Sequence, residues 1–141
     1  MPLELAIVKV KGDGKRVLAV FTDPDCPYCK RLEGELAQID NVTIYIFLFP
    51  LASLHTDAPR KSHLIWCAPD KVKAWDAMMQ YGQEPVSADQ NCTDPIADIA
   101  TAARKLWLQG TPGLIFGNGR LVPGAIPHDK IEEHLSAPVR S

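Results

Sequence analysis

"FTDPDCPYCKRL", residues 21–32, decides how this chain reads, because an apolar run gives way there to the start of a helix carrying Cys26 and Cys29. Such a pair admits three chemistries: half of a metal site, a local staple or a working redox pair. The flanking sequence sets its context. "RVLAVFT" (16–22) and "VTIYIFLF" (42–49) are rich in Val, Ile and Phe and bounded by turn residues, which reads as two buried central strands. Between them Cys29, Leu32, Leu36 and Ile39 form one apolar stripe at helical spacing, with Lys30, Arg31, Glu33 and Glu35 mostly off it. Strand, helix, strand implies parallel pairing through a right-handed crossover.

At the junction of a strand and a helix, the Cys26 sulfur is expected near free backbone N–H groups and the positive end of the helix dipole, which favour thiolate over thiol. Cys29, nearly one turn further, is expected to face the core and to be less accessible. The pair therefore divides into a nucleophile and a resolving thiol. Pro27, which offers no N–H, suits a first helical turn, and together with Tyr28 it can tune how strongly the dithiol is preferred.

A zinc site needs four ligands, and this chain has no second Cys-X-X-Cys: Cys67 and Cys92 stand far apart, and His55, His63, His128 and His134 are scattered. Attachment of c-type haem needs His directly after the second cysteine, where this chain has Lys30. No metal is therefore expected. A purely structural Cys26–Cys29 bridge would restrain little of the unfolded chain. Bridging Cys67 and Cys92 would instead close about 25 residues and stabilise by roughly 3 kcal/mol. That staple is the preferred reading, with a second redox pair or two buried free thiols as alternatives.

Length and composition bound the rest. With 141 residues and 46% hydrophobic content, the chain can bury one core, and one domain over 1–141 is expected. Lys and Arg number 15 against 17 Asp and Glu, so no broad field recruits nucleic acid. No apolar stretch approaches the roughly 20 residues that cross a bilayer, and the first residues lack a signal-peptide pattern.

Residues 57–81 have helical spacing broken at Ala68-Pro69, giving two short helices with Asp70 capping the second. "SADQNCTD" (87–94) reads as a loop. A further helix starts at Asp94-Pro95 and runs through Ile96, Ile99, Ala103 and Leu106 until Gly110 stops it. "TPGLIFGNGRLVPGAIPHDKIEEHL" then reads as a strand, an Asn118-Gly119 turn, a second strand and a last helix. "KVKGDGKR" (9–16) is a turn with solvated lysines, and His63 sits on a helix surface. The expected layout is an α/β fold: a small mixed sheet, helices on both faces, and a helical insertion over approximately 55–109.

Four stretches carry a family resemblance: "VFTDPDCPYCKRLE", "IWCAPDKVKAWDAMM" followed by "NCTDPIADI", "GTPGLIFGNGRLVPGAIP" and "DKIEEHL". Together and in this order the chain resembles the catalytic domain of the bacterial periplasmic disulfide isomerases DsbC and DsbG. The resemblance implies a thioredoxin fold with a helical insertion, Cys26 as attacking and Cys29 as resolving cysteine, and Cys67–Cys92 as a structural disulfide. Thr111 and Pro112 match the Thr and cis-proline of the loop facing the redox pair, where backbone groups receive a substrate chain. From the residues alone, cis and trans stand level at Pro112. Val20 departs from thioredoxin itself, which has a buried Asp six positions before the first cysteine. Glu33, one turn past Cys29, is a candidate acid-base group, its alternative being a solvated helix face; Tyr28 either touches substrate or packs.

The resemblance further implies protein disulfides as substrates, a membrane electron donor of the DsbD type, no dissociable cofactor and a periplasmic location. Full-length family members carry an N-terminal dimerisation module and linker; this chain matches the catalytic half, so a monomer is expected. Two other functions stay open: a monomeric thiol oxidase or reductase of thioredoxin type, and a chaperone-like binding module using Leu51, Leu54, Trp66, Trp75 and Trp107.

Overall fold

The computed structural model describes residues 2–86 and 91–137 of the chain. Five strands, β1 (Ile7–Lys11), β2 (Arg16–Thr22), β3 (Val42–Leu48), β4 (Gly113–Phe116) and β5 (Leu121–Pro123), form one sheet in the order β1-β3-β2-β4-β5. β2 and β3 pair in parallel, and the other three pairings are antiparallel. The parallel pair is the one that the crossover helix α1 (Pro27–Leu36) dictates, since a parallel neighbour cannot be reached by a tight turn. This is an α/β architecture with one mixed five-stranded sheet and a crossover helix between its parallel strands.

From Leu18 to Thr22 every residue of β2 is buried, as are Ile46, Phe47 and Leu48 of β3. Strands buried on both faces need cover on both faces, and the helices supply it. α1 buries Cys29, Leu32 and Leu36, and Ile39 just beyond it is also buried, which completes the apolar stripe. The helix α5 (His128–Ser136) packs on β2, where Arg16 pairs with Glu132. Phe21 and Phe47 stack across the parallel pair with ring centroids 4.8 Å apart, and Phe49 meets Phe21 edge-on.

Between β3 and β4 lie α2 (Ala58–Trp66), α3 (Lys71–Tyr81) and α4 (Ile96–Lys105). Asp70 caps α3 by accepting the Lys73 N–H at 3.1 Å, and Gly82 ends that helix in the left-handed region at φ 64°, where a side chain would be strained. Of the loop expected over 87–94, residues 87–90 lie outside the described residues. α4 ends earlier than Gly110 suggested: it stops at Lys105, and the exposed Trp107 takes the left-handed conformation at φ 60°. The Asn118-Gly119 turn closes the β4–β5 hairpin, with the Gly119 N–H donating to Phe116 O at 2.9 Å.

The turn expected over 9–16 is a strand over its first three residues. Ile7, Lys9 and Lys11 share the inner side of β1, while Val8 and Val10 face outward. Lys9 Nζ pairs with Asp76 of α3 at 2.8 Å and Lys11 Nζ donates to Leu36 O at 2.7 Å, so the lysines are anchored and not merely solvated. The turn proper is centred on Gly12, at φ 59°, where an added Cβ would collide with the Asn41 side chain.

Phe47 is fully buried between the parallel strands and the helices. Phe47→Ala is expected to destabilise the fold by about 3–5 kcal/mol, read as a lowered urea midpoint with unchanged slope.

Candidate active site

Cys26 is the N-cap residue of α1, and Pro27 occupies the first helical turn. Proline is well placed there because its missing N–H would have had no helical partner. The backbone N–H of Cys29 donates to Cys26 Sγ at 3.4 Å, so the sulfur sits on the helix N-terminus. Opposite it, the Thr111 carbonyl accepts from the Cys26 thiol at 3.6 Å. Both cysteines are unbridged and buried, with 4% and 1% of their surface exposed.

The Thr111-Pro112 peptide bond is cis. Its position follows from sheet register: Gly113 of β4 stands opposite Phe21 of β2, so the loop before β4 and the loop after β2 meet at one end of the sheet. The Gly124 N–H donates to Pro112 O at 2.9 Å and ties the loop to the end of β5. Cysteines and proline loop, 85 positions apart in sequence, thus become neighbours through two strands.

Burial pushes the Cys29 thiol up to about 12, and its hydrogen bond with Cys26 adds to the rise, while Thr111 and Thr22 oppose it. Cys29 therefore keeps its proton at neutral pH. Thr111 Oγ1 is buried without a partner of ordinary geometry among the described residues, and its hydroxyl favours the Cys29 thiolate. A donor left free in the resting dithiol is available to a sulfur that acquires charge.

Asp23 organises the segment before the cysteines, and the sequence reading had not singled it out. Fully buried, it accepts the Asp25 N–H on Oδ1 at 2.8 Å and the Leu51 N–H on Oδ2 at 2.7 Å, and Oδ2 also meets His55 Nδ1 at 2.9 Å. Its carbonyl accepts the Cys26 N–H at 3.3 Å. Asp25 in turn pairs with Lys61 of α2 at 2.7 Å. The available signal was the pair of aspartates in "TDPD", polar residues at the end of an apolar strand.

Glu33 lies one turn after Cys29 beside a small cavity of about 40 Å³ lined also by Lys9, Lys11, Asp76 and Met79. Trp75 Nε1 donates to its carboxylate at 2.5 Å. Part of the residue reaches solvent through that cavity, but burial of the carboxyl raises its pKa, against the opposing pull of Trp75 and Lys9. The alternative of a solvated helix face does not hold, because α3 covers this side of α1.

Tyr28 is exposed next to Cys26, with the Arg31 guanidinium 5.5 Å from its ring centroid. Cys67 and Cys92 form a disulfide, with Cα atoms 5.8 Å apart, that joins the end of α2 to the segment before α4. Of the side chains considered for a binding surface, Trp75 is core, Trp66 is half-buried under Lys71, and Leu54 and Trp107 are exposed. Among the described residues no group of three or more His, Cys, Asp or Glu side chains is placed to hold a metal ion, and no helix is long and apolar enough to cross a membrane.

Residues 3–137 match the family described as Thioredoxin-like domain. The chain is 44% identical over 135 residues to the probable thiol:disulfide interchange protein DsbC of Bordetella parapertussis, a match covering 96% of this chain and 47% of that protein. It is 37% identical over 134 residues to the thiol:disulfide interchange protein DsbC of Escherichia coli K12, covering 94% and 55%. The chain spans about half the length of these curated relatives. Among solved structures, a disulfide interchange protein from Neisseria gonorrhoeae superposes with a TM-score of 0.88 at 45% identity, over 94% of each chain.

Two measurements check these electrostatics. In a Cys26→Ser chain, which keeps the burial but loses the Cys26 contribution, the alkylation rate of Cys29 should keep climbing as pH rises above the ordinary thiol range; a plateau in the ordinary thiol range would contradict the burial argument. For Glu33, the folded chain holds its proton more tightly than the unfolded one, so this contribution favours folding at low pH and fades as pH rises above the usual carboxylate range. The stability of Glu33→Gln relative to wild type should accordingly increase between about pH 4 and pH 7, whereas a constant difference would mean a solvated carboxyl.

Proposed function

The chain belongs to the thioredoxin-like domain family, in its DsbC branch of disulfide interchange proteins, and we propose that it exchanges disulfides in protein substrates as the catalytic domain of a protein disulfide isomerase. One observation supports this above the others: the Cys26 sulfur sits on a helix N-terminus and faces the Thr111 carbonyl of a cis-proline loop. A nucleophile there has backbone donors behind it and a docking edge in front.

In the proposed reaction the Cys26 thiolate attacks one sulfur of a substrate disulfide; a Cys26–substrate bond forms, and the other substrate sulfur leaves with the electron pair of the broken bond. Isomerisation completes when that substrate thiolate, or another, attacks the mixed disulfide and returns Cys26 as thiolate with no net oxidation. The escape route is attack by Cys29 on Cys26, which releases reduced substrate and leaves a Cys26–Cys29 disulfide. Cys29 must lose its tightly held proton first, and the Thr111 hydroxyl is the group placed to steady the charge. This asymmetry gives the substrate time to rearrange.

Thr111 and Pro112 provide the edge along which an extended substrate segment lies, and the exposed Tyr28 ring contacts it. Cys67–Cys92 serves as a structural cross-link of the insertion. Isomerisation needs Cys26 to start reduced, which calls for an electron source such as a DsbD-type membrane donor, and the chemistry requires no dissociable cofactor. A bridged Cys67–Cys92 pair beside a dithiol fits the periplasm, where structural disulfides persist. If the Cys26–Cys29 pair instead cycles between disulfide and dithiol with substrate, the domain works as an oxidase or reductase.

The test is refolding of a protein with scrambled disulfides. The reduced domain should speed recovery of native pairing, and Cys26→Ser should reduce the rate to that of uncatalysed exchange. Cys29→Ser should retain attack and accumulate a mixed disulfide at Cys26. Undiminished exchange in Cys26→Ser would remove the proposal.

A further inference from the structure

Two helices of this chain end on a residue in the left-handed conformation, and the two residues are opposites. α3 ends on Gly82 at φ 64°. After α4 the position falls to Trp107 at φ 60°, whose N–H donates to Arg104 O at 3.1 Å while the next N–H, of Leu108, reaches back to Ala103 O at 2.9 Å. Glycine takes this conformation freely, whereas a bulky side chain strains it. Burial does not offset the strain at Trp107, because 86% of the residue is exposed. A large aromatic ring thus stands in water where the backbone itself favours glycine. Outliers of this kind gather where a protein meets its ligands.

The place of this ring matters as much as its exposure. Trp107 opens the segment that runs to the cis-proline, and from it to Thr111 the backbone can span at most about 14 Å. Thr111 O is in turn 3.6 Å from Cys26 Sγ. The buried Leu108 fixes the start of this segment by packing on Gly113, so closely that a Cβ added to Gly113 would stand 2.7 Å from Leu108 Cδ2. The residue next to the indole is therefore seated against the one that follows Pro112. From the cysteine side, the exposed Tyr28 adds a second aromatic ring.

We propose that Trp107 is a specificity-determining residue: its indole extends the Thr111 edge and holds an apolar or aromatic side chain of an extended substrate segment, within about four residues of the cysteine under attack. The inference rests on the exchange activity proposed above and names the feature of a substrate that this site selects. A native protein buries the apolar neighbours of its disulfides, and a misfolded one leaves them in water. The indole therefore favours disulfides whose surroundings have not folded. The strain at φ 60° keeps the ring outside the core, where such a segment meets it.

The test uses the full chain with Cys29→Ser, so that each Cys26–peptide bond persists. The probes are short peptides whose single cysteine carries thionitrobenzoate: Cys26 thiolate attacks the peptide sulfur, and the thionitrobenzoate anion leaves with the electron pair of the broken bond and is read by its absorbance. Phe is placed in turn at each of about four positions on either side of the cysteine, and the reference peptide has Ser throughout. The best Phe peptide should react about tenfold faster than the reference. Trp107→Gly should equalise the two rates, and Trp107→Phe should restore most of the preference. The urea midpoint of Trp107→Gly should stay level or rise, since the strain leaves with the side chain. Equal rates for all peptides with Trp107 in place, or a preference that survives Trp107→Gly, overturns the inference and leaves the exchange activity standing. So does a lowered midpoint, which would mean that the indole packs on the domain, or self-association that Trp107→Gly abolishes with no change in preference, which would assign the ring to a second copy. Rates no faster than those of Cys26→Ser would remove the exchange activity and the inference together.

Discussion

The pairing of β4 with β2 is the contact on which the chemistry depends. It is antiparallel, so the chain enters β4 at the end of the sheet where it leaves β2, and Gly113 opposite Phe21 fixes the overlap. A slip of one residue would invert every side chain of β4 and carry the Thr111 carbonyl away from Cys26. The buried faces prevent that slip, because Leu114 and Phe116 belong to the core and have nowhere else to go. Hydrophobic burial, without direction of its own, thereby sets a carbonyl to within hydrogen-bonding reach of a sulfur.

Around that contact the protein spends polar groups sparingly. Asp23 accepts from two backbone N–H groups, from two separate loops, and pairs with His55, so a single buried carboxylate joins the strand end, the Cys26 loop and the start of the insertion. Satisfying its oxygens is what makes its burial tolerable. Cys29 lies on the other side of the balance: it is buried with no compensating cation among the described residues, and the cost falls on its ionised form. Two thiols on the same helical turn thus occupy environments that separate their roles.

The central strands, α1, the Asn118-Gly119 hairpin and the break at Ala68-Pro69 were legible because each rests on local pattern. β1 was not: in "IVKVK" the valines face outward and the lysines inward, since Asp76 and the Leu36 carbonyl offer those ammonium groups partners that no periodicity reveals. The end of α4 was misplaced because a glycine was expected to stop it, while Trp107 adopts the left-handed conformation instead. At the site, spacing exposed the cysteines and resemblance pointed to the proline loop. Asp23 and His55 are 32 positions apart and carry no motif, so only the fold brings them together. Glu33 sat off the apolar stripe, and the helix that covers it, α3, begins almost forty residues later in the chain.

The two residues between the cysteines stand apart from all of this bracing. Pro27 and Tyr28 are exposed, and the hydrogen bonds that hold the site run through Asp23, Cys26, Cys29 and Thr111. The dipeptide is thus a mutable insert on a fixed frame. Exchanging these two side chains would alter the surroundings of the sulfur pair while leaving those hydrogen bonds in place.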